Sequence, residues 1–321
     1  MLSDLIKICR KYSTIYIQTH DFPDPDALSS AYGLQEILRH YNIQSTIIYS
    51  GLHQRKNIKE LIEKYSIDHI IADDYKFKKN AASVIVDTKP NFTNISFMHY
   101  NVIAVIDHHL GRLTKKHTYV DVRSKVGATS SIIAEYFFEN NIPVSKRAAT
   151  TLCLGIYTDT MHLLRDVSTL DMDMFHSLYG IADKNYFQHL AGNNYEISDM
   201  PLFKQALSTI MLYKKKYLFS FIGDKVSSNE IAMISDFLLQ MKEVSFTCVG
   251  GISQNNILIS LRSESNSVNT REIINAVMGK HGRGGGHSHM AAAVIPGTGR
   301  NRLNAVNNLF TSIQKELRKR I

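Results

Sequence analysis

The sequence predicts an α/β fold: an N-terminal domain built on a parallel sheet with helices on both faces, followed by a smaller C-terminal α+β domain. Three observations carry this. Through the first half, short β-rich runs alternate with helix-period stretches, the pattern of a parallel sheet covered by helices. The pattern weakens across 185–201, where Ala191-Gly192-Asn193-Asn194-Tyr195 is polar and turn-prone and Pro201 follows. A chain of 321 residues also amounts to about two domains at roughly 150 residues each. The expected organisation is a first domain over 1–190, a linker over 191–210 and a second domain over 211–321.

In order along the chain, strands are expected over 15–19, 45–50, 69–71, 82–87 and 102–107, with helices over 27–41 and 56–65 between them. Two further helices fall over 130–140 and 145–157, separated by Asn141-Ile142-Pro143. A helix over 202–213 leads into the second half. There, strand-like runs cover 217–221, 245–250 and 257–262, a helix covers 271–278, and a glycine-rich loop covers 282–286. The stretch 302–317 is amphipathic, with Leu303, Val306, Leu309, Phe310 and Ile313 on one stripe, as core packing requires. No internal repeat or low-complexity segment interrupts this order.

Composition excludes several classes. At 44% hydrophobic and 21% charged, the chain has enough apolar surface to offset the entropy of ordering. No apolar run approaches the ~20 residues of a membrane-spanning helix. Asp4, Lys7, Arg10 and Lys11 interrupt the N-terminal hydrophobics, unlike a secretory signal. Cys9, Cys153 and Cys248 are far apart with no CxxC, the usage of reduced thiols in a cytoplasmic protein. Thirty-seven basic against 29 acidic residues give +8 and a pI near 9.2, which suits phosphate-bearing partners and equally a solvated surface. The basic residues form no long stripe, which argues against a long nucleic-acid duplex as partner.

The carboxylates and histidines are more specific. The first strand runs into His20-Asp21-Phe22-Pro23-Asp24-Pro25-Asp26, just before a helix. The carboxyl ends of strands in open α/β sheets are where ligands bind. One aspartate here would be explained as a helix N-cap; the second, and His20, would not. The strand over 82–87 ends in Asp87-Thr88, and the strand over 102–107 runs into Asp107-His108-His109. Three strands ending in Asp or His point to a convergent cluster. Asp159, at the end of an apolar helical segment, is a fourth candidate, although alone it reads as a helix-terminal polar residue. Carboxylates and imidazoles without thiolates suit Mn²⁺ or Mg²⁺, and the imidazoles tilt the choice to Mn²⁺. So many acids in one pocket would repel one another; two divalent cations relieve that conflict and acidify a water for attack on phosphorus.

Gly282-Arg283-Gly284-Gly285-Gly286-His287 is the second candidate. Consecutive glycines let backbone N–H groups approach an anion, with Arg283 and His287 adding charge or hydrogen bonds. No Lys-Ser or Lys-Thr follows, so it is not a P-loop. Arg262, at the end of a strand, would complete a phosphate or base clamp. Taken singly, each has a plainer reading as a tight turn or a surface ion pair.

Together these residues resemble the DHH phosphoesterase family, in the branch carrying the DHH-associated C-terminal domain. His20-xxx-Asp24-x-Asp26 looks like its first motif, Asp87-Thr88 its second, Asp107-His108-His109 its third, and Asp159 within Gly155-Ile156-Tyr157-Thr158-Asp159-Thr160 its fourth. Val126-Gly127-Ala128-Thr129-Ser130 resembles the helix start after the third motif, and Gly285-Gly286-His287 with Met290-Ala291-Ala292 is similar to its C-terminal signature. The resemblance implies a two-domain, two-metal phosphohydrolase with its active site in the interdomain cleft. It implies that His20, Asp24 and Asp87 hold one Mn²⁺, and that Asp26, His108, Asp159 and a bridging Asp87 hold the other. It further implies that His109 contacts the scissile phosphate, that Asp107 orients the cluster, and that Arg262, His287 and backbone N–H groups near Gly286 grip the substrate.

Pro25, Ser29 and Met161-His162-Leu163 depart from the family pattern without removing a ligand, which bears on substrate preference. The length matches the branch that degrades short oligoribonucleotides (nano-RNA) and dephosphorylates 3′-phosphoadenosine 5′-phosphate (pAp), often as a homodimer. The runner-up is a phosphodiesterase of linear or cyclic dinucleotides, and polyphosphatase or pyrophosphatase activity is a weaker option. From another class, a non-catalytic nucleotide sensor is the rival, and the intact set of acids argues against it.

Overall fold

The computed structural model describes residues 2–51, 56–71, 77–92, 94–96, 101–192, 195–278, 283–286, 288–296 and 302–320. The chain divides into two units, Met1–Asn194 and Tyr195–Ile321. None of the described helices is long and apolar enough to cross a membrane.

The first unit runs α1 (Leu2–Cys9), β1 (Thr14–Gln18), α2 (Pro25–His40), β2 (Ser45–Tyr49), α3 (Lys56–Tyr65), β3 (His69–Ile71), β4 (Ala81–Val86), β5 (Val102–Asp107), β6 (Tyr119–Val122), α4 (Thr129–Glu139), α5 (Lys146–Asp159), α6 (Thr169–Ile181) and α7 (Lys184–Gly192). Its strands form one six-stranded sheet in the order β3-β2-β1-β4-β5-β6, every pair parallel. Every residue of β1 and β4 is buried, as expected of central parallel strands covered on both faces. The winding reverses between β1 and β4. Such a switch point opens a crevice outside the carboxyl ends of the strands.

Helices α1–α7 contribute to the main core on one face, against Ile15, Ile17, Val84, Val86, Ala104 and Ile106. The other face carries smaller clusters: Tyr16, Ile48 and Ala81 with Phe77, and Ile85 and Val105 with Ile95 and Leu113. Glycine is required where α5 meets its neighbours. A Cβ on Gly155 would lie 2.2 Å from Ser130 Oγ on α4 and 3.0 Å from Ser29 Cβ on α2.

The second unit holds a 3₁₀ turn (Ile197–Asp199), α8 (Met200–Ser208), β7 (Met211–Tyr213), β8 (Tyr217–Asp224), α9 (Ser228–Leu239), β9 (Phe246–Ser253), β10 (Asn256–Ser263), α10 (Thr270–Met278), β11 (Arg283–Gly286), β12 (Met290–Pro296) and α11 (Arg302–Lys319). They build a mixed sheet, β11-β12-β10-β9-β8-β7, in which β8 and β9 are parallel and the other pairs antiparallel. Phe203 and Ala206 of α8 are buried in this unit's core with Leu218, Ile234 and Leu238.

Two expectations are corrected here. The helix over 202–213 stops at Ser208, and Met211–Tyr213 pairs with β8 instead. Thr209 Oγ1 bonds the Gln205 and Phe221 carbonyls, and left-handed Lys214 and Lys215 then turn the chain into β8. The glycine-rich segment is no loop either: Arg283–Gly286 is a strand paired with β12. The missing side chains permit this close pairing, since a Cβ on Gly284 would lie 2.8 Å from Ala293 Cβ, and one on Gly286 2.2 Å from the Met290 carbonyl. Elements not anticipated include α1, β6, α6, α7, α9 and β12. Two of these carry a local signal, since Ser168 with Asp171 and Ser227 with Glu230 form capping boxes at the starts of α6 and α9.

A glycine pair tests the packing. Gly155→Ala should destabilise the protein by about 1–3 kcal/mol through overpacking. Gly180→Ala, where nothing lies within 4 Å of the added Cβ, should be neutral or gain up to ~1 kcal/mol of helix propensity. Urea unfolding of both variants measures the difference.

Candidate metal centre

The candidate residues come together at the carboxyl ends of β1, β4 and β5, beside the switch point. Three groups have ligand atoms that all lie within 4.8 Å of one another: His20, Asp24 and Asp87; Asp26, His108 and Asp159; and Asp87, His108 and His109. Asp87 and His108 each belong to two of them.

Local structure aims each side chain. Asp24 is the N-cap of α2, its Oδ1 accepting from Ala27 N at 3.0 Å, while its Oδ2 lies 3.8 Å from His20 Nε2. The capping role and the cluster role therefore coexist in one carboxylate. Asp26, buried in the first turn of α2, reaches α4 instead. Its two oxygens accept from Thr129 N at 2.7 Å and Ser130 N at 2.9 Å, supplying the cap that Ala128 lacks. Asp87 follows β4 with φ +58, a left-handed conformation uncommon for a non-glycine residue and often held at functional sites. Thr129 Oγ1 donates to Asp87 Oδ1 at 2.8 Å. Asp159 closes α5, and Met161, His162 and Leu163 just beyond it are all left-handed.

The histidines are anchored through Nδ1. His20 Nδ1–H donates to the Asp21 carbonyl at 2.8 Å and His108 Nδ1–H to the Val126 carbonyl at 3.2 Å. This directs Nε2 toward carboxylates: His20 Nε2 lies 3.8 Å from Asp87 Oδ2, and His108 Nε2 lies 3.1 Å from Asp159 Oδ2. Backbone bonds that fix tautomer and ring orientation in this way are typical of metal-binding imidazoles. His109 differs, since its Nδ1–H donates to Asp107 Oδ1 at 2.7 Å.

The electrostatics are those of a site short of positive charge. Burial, then the Asp159 charge, pushes the Asp26 carboxyl up to about 7 against the pull of His108. Burial, then Asp26, Asp24 and Asp159, pushes Asp87 well above the carboxylate range. For His108, burial opposes the charged form, but Asp159 and Asp26 outweigh it and raise the ring to about 10. His20 is likewise raised, by Asp24 against its own burial. These shifts have one cause: buried carboxylates hold protons where a cation would serve. Oxygen and imidazole donors without thiolate fit a hard to borderline divalent ion, so the residues present suit the group their types imply.

Asp107 behaves oppositely. Burial raises its carboxyl, yet hydrogen bonds and charge from His109 and Lys89 hold it well below the usual range. Lys89, fully buried, lies 2.8 Å from Asp107 Oδ2. Neither Lys89 nor Thr129 was among the candidates singled out by residue type, since a Lys after Asp-Thr and a Thr at a helix start carry no chemical signature. Within the second unit, Arg262 on β10 is buried, with Nε 2.5 Å from Asp236 Oδ1 and Nη1 2.7 Å from Ser260 Oγ. Arg262 pairs in register with Met290, and Gly286 and Gly285 pair with Ala291 and Ala292, so all three lie toward one end of the sheet. His287 and the side chain of Arg283 lie outside the described residues.

Residues 14–156 match the DHH family N-terminal domain, and residues 214–319 match the DHHA1 domain. The chain carries a DHH domain followed by a DHHA1 domain. An uncharacterized protein of Methanocaldococcus jannaschii is 31% identical over 287 residues, 89% of this DHH chain and 59% of the relative. A Streptococcus mutans protein named "Probable bifunctional oligoribonuclease and PAP phosphatase NrnA" is 31% identical over 167 residues, 50% of each chain. A Clostridium acetobutylicum protein named "Probable manganese-dependent inorganic pyrophosphatase" is 27% identical over 177 residues, 53% of this chain and 55% of its own. The DHH chain therefore spans 50 to 59% of the length of these curated relatives. Among solved structures, an exopolyphosphatase-related protein of Bacteroides fragilis shares the fold, with TM-score 0.81 at 18% identity, covering 98% of this chain and 95% of that one.

The shifted groups give a pH prediction for the chelated protein. Asp26 rises from 3.8 unfolded to about 7 folded, so the folded state binds its proton more tightly. The stability this contributes is present at low pH and is lost as pH climbs from about 4 to about 7. His108, raised from 6.5 to about 10, contributes below 6.5 and loses that contribution as pH rises toward 10. With EDTA present, wild-type protein should become less stable from pH 5 to 9. Asp26→Asn should flatten the part below pH 7. Thermal unfolding across that range reads both slopes, and Mn²⁺ should reduce the wild-type slope.

Proposed function

We propose that this chain is a metal-dependent phosphoesterase that hydrolyses short oligoribonucleotides and pAp, using two Mn²⁺ ions, with Mg²⁺ as a substitute. The observation that carries the reading is that Asp87 shares one Asp/His group with His20 and Asp24 and another with His108, which in turn belongs to a group with Asp26 and Asp159. Two such groups joined by one carboxylate suit a pair of ions better than a single ion. In this assignment His20, Asp24 and Asp87 serve one ion. Asp26, His108, Asp159 and the shared Asp87 serve the other. When bound, the ions supply charge against the developing negative phosphoryl oxygens and lower the pKa of an attacking water.

The chain's own residues do the rest. Asp26 and Asp87 are pre-set by hydrogen bonds from the start of α4, so no reorganisation is needed as charge moves. His109, with Nδ1 held by ionised Asp107, is assigned the contact with a phosphate oxygen through its other nitrogen. Arg262 and the backbone N–H groups of Gly285 and Gly286, with His287 and Arg283, are assigned the grip on a remaining phosphate or base. Arg262 is held by Asp236 and Ser260, which fixes the guanidinium plane for that task. The choice of nucleotides over inorganic pyrophosphate is supported by the DHHA1 match and by the NrnA name of the Streptococcus relative.

The test is a panel with Mn²⁺: pAp, a diribonucleotide, a cyclic dinucleotide, pyrophosphate and a long single strand. Turnover of the first two well above the others is expected, and preference for pyrophosphate would overturn the substrate assignment. Asp87→Ala should cost more than ~100-fold in turnover, exceeding the loss from a residue that only supports a ligand. Its circular dichroism should stay unchanged. Near-normal turnover in that variant would refute the shared-ligand role.

A further inference from the structure

We propose that Lys89 is a positioning residue for His109, fixing both the backbone and the ring of that histidine with one buried ammonium. Lys89 follows Asp87-Thr88 past the end of β4, and its side chain is fully buried. An ammonium removed from water costs several kcal/mol unless it is paired and hydrogen-bonded. The contacts that compensate it all lead to one residue. Lys89 Nζ lies 2.8 Å from Asp107 Oδ2, and the other oxygen of Asp107, Oδ1, accepts from His109 Nδ1–H at 2.7 Å. The same Nζ donates to the His109 backbone carbonyl.

A histidine ring needs its backbone and its two side-chain torsions set before its far nitrogen has a defined position. Lys89 supplies the first through the carbonyl and the second through Asp107. Phe92 closes the arrangement, its ring centroid 5.1 Å from Nζ and set edge-to-face against His109 at 6.2 Å. A lysine whose only task was to neutralise Asp107 would need the carboxylate alone. The second contact on His109 singles out positioning, and the closed loop Lys89–Asp107–His109–Lys89 leaves the ring little freedom to turn.

This inference rests on the reading that His109 meets the substrate phosphate, and the experiment separates the two. Lys89→Met, Asp107→Asn and the double variant are compared with wild type in Mn²⁺ on the preferred nucleotide, alongside ¹⁵N NMR of the histidine rings. The His109 signals are assigned by their loss in His109→Asn. Lys89→Met should lower kcat about 10- to 100-fold, the range for residues that orient an active-site group, with KM within about twofold. The His109 Nδ1–H resonance should shift or broaden. The double variant should be no slower than Asp107→Asn, because Lys89 acts along the same path. Wild-type kcat in Lys89→Met, an unmoved His109 resonance, or additive losses in the double variant would each overturn the proposal.

A wild-type measurement guards against a variant that fails to fold. The Lys89 ammonium should give a slowly exchanging ¹⁵N–¹H signal with a nuclear Overhauser contact to His109, and its absence also overturns the assignment. If His109→Asn retains full turnover, it is the catalytic reading of His109 that falls, while the NMR results still decide the role of Lys89.

Discussion

The interaction on which the rest depends is the mutual repulsion of buried carboxylates. Asp26 and Asp87 are each raised first by burial and then by the neighbouring acids, while His108 pulls against the shift at Asp26 and the His20 and His108 rings lie 3.8 and 3.5 Å from Asp87. Histidine protons meet part of the deficit, which is why His108 is driven far above its ordinary range. A site that holds protons this tightly is poised to exchange them for divalent charge. The same repulsion that burdens the fold without a cation is what gives the cation its affinity.

Everything around the cluster serves to hold it in place against that repulsion. Parallel strands bring three loops to one edge of the sheet. The start of α4 donates backbone and hydroxyl hydrogens to Asp26 and Asp87, so the helix is capped by the very acids it steadies. Asp171, buried in α6, in turn accepts from Gly127 N and Ser131 Oγ on either side of that helix start. Close packing at Gly155 seats α5, and with it Asp159, against α2 and α4. Asp107 and Lys89 form a fully buried ion pair whose further contacts run to His109.

Much of this was legible residue by residue. Strand-end acids and imidazoles announce themselves because Asp and His have few reasons to interrupt apolar runs. A parallel strand must end somewhere polar, and three strands and one helix ending in ligand-type residues narrow the explanation. The glycine-rich segment was harder. Glycine signals backbone freedom but not its use, and in β11 the use is close strand pairing against β12. The helix expected over 202–213 failed for a related reason: a continuing apolar pattern does not reveal where Thr209 will cap or where two left-handed lysines will turn the chain.

The α/β class, the candidate ligand types and the strand ends from which they project are readable in the residues alone, because side-chain chemistry and hydrophobic period are local properties. Only the tertiary structure decided the strand order that sets β1 beside β4, the sharing of Asp87 and His108 between groups, and the burial of Lys89 against Asp107 and His109. Those depend on which distant segments become neighbours. That outcome is fixed by packing and sheet pairing over the whole domain, which no single stretch of residues encodes.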